Sequence, residues 1–134
     1  KTSIGSLRAF YFIPETKSFF TGGVQYESEN ATADEFDFNA YILKAGYRTP
    51  LPLGIDGNRL DFDITYEDRA YKSISPQIGE VRGDEKWTLG LSLKVPVTDV
   101  LFVEAGYVYR DYKSNFPGAN FTENNVTLEF GFEL

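Results

Sequence analysis

Residues 87–109 read W-T-L-G-L-S-L-K-V-P-V-T-D-V-L-F-V-E-A-G-Y-V-Y, and their alternation decides the fold. In the first arm Trp87, Leu89, Leu91, Leu93 and Val95 share one parity, while Thr88, Gly90, Ser92 and Lys94 take the other. In the second arm Leu101, Val103, Ala105, Tyr107 and Tyr109 share a face, opposite Glu104, Gly106 and Arg110. Successive side chains of a strand point to opposite sides. The stretch is therefore a hairpin around Pro96-Val97-Thr98-Asp99, with one apolar and one polar face. The apolar face is expected to meet lipid.

Working outward, five further segments carry strand-like patterning. They are about Ser3–Ile13, Ser18–Glu29, Phe36–Thr49, Arg59–Lys72 and Asn125–Leu134. Turns rich in Pro, Gly and polar residues separate them, and none shows a useful helical period. The fourth segment sets Leu60, Phe62, Ile64 and Tyr66 against Asp61, Asp63, Thr65 and Glu67. The third changes parity: Phe36, Phe38, Ala40 and Ile42 give way to Leu43, Ala45 and Tyr47. A β-bulge near Ile42-Leu43 would reconcile its two halves. Together the pattern predicts an all-β, antiparallel up-and-down transmembrane β-barrel, with seven or eight strands in this chain. Residues 1–134 read as a single barrel domain or the C-terminal part of a larger one.

Composition narrows the chemistry. The chain has no Cys and no His, which removes thiolate sites, disulfides and Ser-His pairings. A net charge of −7 argues against nucleic acid as a partner. Twelve Phe, nine Tyr and one Trp are many for a chain of mean hydropathy −0.31. A spanning helix needs about 20 mostly apolar residues, which are absent; a spanning strand needs about 9–11, only half of them apolar. Lys1-Thr2-Ser3 resembles an internal start more than a signal peptide.

The connections read short, long, medium, long, short, long. Short periplasmic turns alternating with longer extracellular loops are the rule in outer-membrane barrels. The turns at Pro14, Pro50 and Pro96 would be periplasmic, and the loops near Asn30, Gly79 and Pro117 extracellular. Trp87, Tyr107 and Tyr109 then lie at the outer membrane interface, and Phe130, Phe132 and Leu134 at the inner one.

The last segment, N-V-T-L-E-F-G-F-E-L, resembles the C-terminal strand of Gram-negative outer-membrane β-barrels through Leu128, Phe130, Gly131 and Phe132. The usual terminal Phe or Trp is replaced by Leu134. The hairpin followed by V-Y-R-D-Y-K-S-N is also similar to the last strands of surface lipoprotein assembly modifiers and of some exopolysaccharide exporters. The resemblance implies a bacterial outer-membrane location, with lipid and the barrel assembly machinery as partners. It also implies a role in transport, export or pore formation.

Seven strands put the two chain ends on opposite sides, whereas bacterial single-chain barrels have an even strand number. A missed strand, a larger barrel begun upstream, or a further chain would each resolve this; a larger barrel or a partner chain is favoured. An open sheet in lipid is not viable, because its edges leave backbone groups unpaired.

The predicted lumen residues are Asp61, Asp63, Glu67, Lys94, Glu104, Arg110, Glu129 and Glu133. Lys94 is expected near Glu104, and Arg110 between Glu104 and Glu129. Their simplest role is a polar plug or channel wall; selectivity for a cationic or polar solute is the sharper one. Asp61 and Asp63, about 7 Å apart at strand spacing, are a carboxylate pair with no other converging group. The small outer-membrane enzymes rely on a His, so no catalysis, cofactor or metal is expected. The acidic turns Asp56-Gly57-Asn58 and Gly83-Asp84-Glu85 fall short of a Ca²⁺ loop, and the sequons at Asn30, Asn120 and Asn125 read as ordinary loop composition. Two other readings remain open: a soluble barrel or sandwich holding an apolar ligand, and a non-conducting outer-membrane anchor.

Overall fold

The computed structural model describes residues 1–133; Leu134, expected at the inner interface, lies outside them. Seven strands follow one another in a single antiparallel sheet in strict chain order. They are β1 (Thr2–Phe12), β2 (Phe19–Glu29), β3 (Phe38–Thr49), β4 (Arg59–Ile74), β5 (Val81–Pro96), β6 (Leu101–Ser114) and β7 (Phe121–Phe132). The sheet does not close: β1 and β7 are its free edges. Both descend from the end bearing connections 30–37, 75–80 and 115–120, here the upper end, to the end bearing the other three turns.

Ladder register sorts the side chains into two faces. One carries Phe20, Val24, Tyr26, Leu43, Phe62, Ile64, Trp87, Leu89, Leu91, Tyr107, Val126, Leu128, Phe130 and Phe132. Most of these are exposed: Leu91 is 45% and Val126 81% open to solvent. The polar face is the more covered one. It holds the only two buried hydrophobic residues among those described, Ala40 and Ile42. Hydrophobic burial is the main driving force of folding, and here it is almost unspent in the chain's own interior.

Three expectations need correction. First, β3 has no bulge: it keeps register with β2 and β4 from Phe38 to Thr49. Phe38, Ala40 and Ile42 lie on the polar face, and Leu43, Ala45 and Tyr47 on the apolar one. The parity changes because the polar face itself turns apolar near its upper end. There Phe38 packs 5.8 Å from Tyr71, under the Arg69 guanidinium 4.3 Å away. Second, the loops do not alternate in length. β4, β5, β6 and β7 run further into the segments expected as long loops, so the connections at 75–80 and 115–120 have six residues each. The ladder tolerates charged residues there, since its hydrogen bonds are made by backbone. The one irregularity in the ladders is a register shift between β4 and β5 at Ala70/Ile74. Third, the turn expected to be of medium length, residues 50–58, is the longest. Asn58 organises it: its Nδ2 donates to the Leu51 and Ile55 carbonyls at 2.9 and 2.6 Å, and its Oδ1 accepts from Leu51 N at 2.6 Å. Gly54 and Gly57 take the left-handed φ values of 69° and 80° that the loop requires.

Candidate functional site: a two-faced wall

The apolar face has a sharp upper limit. Tyr26 and Tyr41 pair across β2 and β3 with centroids 5.1 Å apart, and Tyr66 and Trp87 across β4 and β5 at 4.6 Å. Tyr107 continues this belt on β6. The polar tips find acceptors nearer the upper end. Tyr26 donates to Asn39 at 3.1 Å, Trp87 Nε1 to Glu85 at 3.2 Å, and Tyr107 to Asn124 at 2.6 Å. An aromatic ring with one wet end suits a boundary between an apolar and a polar medium. Below it, Trp87 to Val95 spans eight residue steps, about 26 Å along the strand. Tilted by about 40°, that band stands about 20 Å tall, near the about 25 Å of outer-membrane barrels. Tyr109 shares this face and end. Phe130 and Phe132 lie at the lower end, beside Val103 and Leu101 in the ladder.

Seven of the eight predicted lumen residues fall on the polar face of the ladders, and Glu133, just past the end of β7, reaches that face through Lys94. The structure does not gather them into one cluster. Asp61 accepts from Arg48 and, at 2.7 Å, from Arg59. Asp63 leans toward β5 over Gly90, where a Cβ would stand 2.5 Å from its Oδ1. The two carboxylates therefore serve different neighbours and form no joint site. Glu67 accepts from Arg69 at 2.7 Å. Lys94 is level with Glu104 in the ladder but pairs with Glu133, two strands away, with its Nζ 4.0 Å from the Phe102 ring centre. Glu104 accepts from Ser92 Oγ at 2.7 Å. Arg110 pairs with Glu123 at 3.1 Å, not with Glu104 or Glu129. The reason is register: Arg110 stands opposite Glu123, whereas Glu104 stands opposite Glu129 six residues lower.

Sequence reasoning missed the most enclosed ionic group. Asp84 sits above the aromatic belt with its side chain 3% exposed. Arg82 Nε and Nη2 grip its two oxygens at 2.9 Å each, Tyr112 OH donates to Oδ2 at 2.6 Å, and Ser114 Oγ to Oδ1 at 2.5 Å. The Arg82 guanidinium lies 4.9 Å from both the Tyr71 and Phe116 rings. Burial alone would raise the Asp84 pKa, but the hydrogen bonds from Arg82, Ser114 and Tyr112 together hold it below the usual carboxylate range. Next to this group, Asn115 ties the connection after β6 to the start of β5: its Oδ1 accepts from Gly83 N at 2.8 Å and its Nδ2 donates to Val81 O at 2.9 Å. The signal available in the sequence was the alternation Arg82, Asp84, Lys86, which keeps the strand period inside an apparently polar loop.

The sheet has one apolar face, a second face of paired charges and a pinned upper rim. No curated protein matches the chain, and no solved structure matches it. Residues 6–133 match the family of surface lipoprotein assembly modifiers, nearly the full length of the sequence. Of the two groups that the last strands resemble, the match is to the first: the chain belongs to the surface lipoprotein assembly modifier family.

Proposed function

We propose that this sheet is part of the wall of an outer-membrane β-barrel that serves the export of lipoproteins to the cell surface. The apolar face meets lipid, the polar face lines the lumen, and the turns at the lower end face the periplasm. The observation that carries this reading is the exposed apolar band closed at its upper edge by the Tyr26–Tyr41 and Tyr66–Trp87 pairs. The family's description supplies the class of cargo.

Closure needs additional strands. β1 and β7 run in the same direction, so an antiparallel barrel requires an odd number of strands between them. Further chain, from the same protein or a partner, is the natural source, and the barrel assembly machinery would insert the whole. A soluble barrel holding an apolar ligand would turn Trp87, Leu89 and Leu91 inward, yet theirs is the less covered face. A non-conducting anchor draws support from one observation: the charges of Asp61, Lys94, Arg110 and Glu133 are satisfied by one another or by neighbours, as in a filled interior.

Cells lacking the protein should display fewer lipoproteins to externally added protease, and the wild-type protein should restore them. Unchanged display would remove the export role. Planar-bilayer conductance separates an open pore from a filled wall.

A further inference from the structure

Five strand glycines lie on the polar face: Gly23, Gly46, Gly90, Gly106 and Gly131. Four of them are explained by their neighbours. An added Cβ would stand 2.6 Å from Thr21 Oγ1 at Gly46, 2.5 Å from Asp63 Oδ1 at Gly90, 2.6 Å from Thr127 Oγ1 at Gly106 and 2.3 Å from the Phe102 ring at Gly131. Gly23 is different. Its nearest would-be contacts are the Leu7 carbonyl at 3.5 Å and Lys44 Cβ at 3.8 Å, both ordinary, and its φ is not in the left-handed region. Neither backbone nor packing forbids a side chain there.

Gly23 is flanked in the ladder by Arg8 on β1 and Lys44 on β3. These cations are about 10 Å apart at Cα, two strand spacings, with no side chain between them. Among the described residues neither makes an ion pair; the other five arginines all do, whereas Lys17, Lys72 and Lys86, like Lys44, do not. The nearest carboxylate on this part of the face, Asp63, leans away toward β5. Two recesses, of about 360 and 300 Å³, open on either side, and Arg8, Gly23 and Lys44 line both. Thr21, Thr65 and Asp63 are among the other residues lining the first, Ser6 and Gln25 among those lining the second.

The geometry points to a binding site for an acidic, extended polypeptide segment, with a carboxylate over Gly23 between Arg8 and Lys44. Two cations on either side of a bare glycine, in a chain of net charge −7, suit a carboxylate from outside. The neutral hydrogen-bonding side chains around them suit the amides of a passing backbone better than a compact phosphate. The glycine leaves the shelf free so that the segment can approach the sheet closely. This rests on the export reading, in which the polar face lines the path of a lipoprotein cargo.

The test uses the full-length protein in detergent and a fluorescent Gly-Ser peptide bearing two Asp residues, beside its Asn analogue. Saturable binding of the Asp peptide is expected. It should weaken about tenfold or more for the Asn analogue and for Arg8→Gln/Lys44→Gln, because hydrogen bonds to charged groups are lost. Gly23→Val, whose Cβ the fold accommodates, should weaken binding similarly by filling the shelf, while the exchange Arg8→Lys/Lys44→Arg should retain it. Equal binding of both peptides, full binding by Gly23→Val, or displacement by millimolar inorganic phosphate but not by the unlabelled Asp peptide would each overturn the site. Lipid-embedded folded protein that fails to bind refutes this inference alone; protein that does not enter lipid refutes the export reading first.

Discussion

Asp84 shows how much a single buried carboxylate can organise. Its oxygens accept four hydrogen bonds, two from Arg82 and one each from Tyr112 and Ser114. Asp84→Ala would leave Arg82 facing two rings without its counter-charge, at a cost of about 1–3 kcal/mol. We expect faster amide exchange at residues 80–84 and 114–116, with the lower turns unaffected. Because the Asp84 pKa is depressed on folding, its stabilisation is fully present above the unfolded value of about 3.9. It is lost only as pH falls through the lower folded value. Protection factors at the upper rim, with the intrinsic pH dependence of amide exchange divided out, should therefore be flat from pH 8 to 5 and fall only in stronger acid, and a fall centred near neutrality would contradict this. The glycines make a second prediction at this scale. Gly131→Val forces a branched side chain into the Phe102 ring, a bulky group beneath Lys94 Nζ, and should destabilise by about 1–3 kcal/mol, measured by urea unfolding in detergent, whereas Gly23→Val should cost little.

At the scale of elements, strand existence was legible and strand extent was not. Every strand announced itself by alternation across the apolar band, as in Trp87–Val95. Beyond the band both faces become polar, so Arg82–Lys86 looked like loop although the backbone ladder continues through it. β3 misled for the opposite reason: Ala40 and Ile42 are apolar residues on the polar face, buried under the upper rim. The placing of seven of the eight charged candidates on one face followed from parity alone. Their partners did not, because parity says nothing of which strands are level. The Lys94–Glu133 pair needs both the β5–β6 and β6–β7 registers. If the two faces of β5 meet different media, Leu91→Arg should cost about 2–4 kcal/mol in lipid and Ser92→Arg far less. Folding yield into vesicles, read by heat-modifiable migration, distinguishes them.

At the scale of the whole molecule, the sheet is an unfinished surface. Among the described residues only Ala40 and Ile42 are buried hydrophobics, yet the apolar face exposes more than a dozen large side chains. A soluble monomer seldom exposes apolar patches beyond a few hundred Å². On the proposed barrel reading, stability comes from the medium that covers that face and from further strands beside β1 and β7. Short proteins made of this sheet alone are expected to aggregate in water and to be rescued by detergent only in part, since detergent covers the face but not the edges. The number of strands that complete the wall was never legible here, because strand direction fixes only that it is odd.

The most direct measurement places single cysteines at Leu91 and Ser92, in a stretch that has none of its own, in the full-length protein cleared of any other cysteine and reconstituted in vesicles. With an environment-sensitive fluorophore at each, Leu91→Cys should be quenched by lipids carrying quenchers on their acyl chains, and Ser92→Cys by aqueous iodide. The reverse pattern, or iodide quenching of both, would contradict a lipid-facing Trp87–Val95 face and with it the barrel.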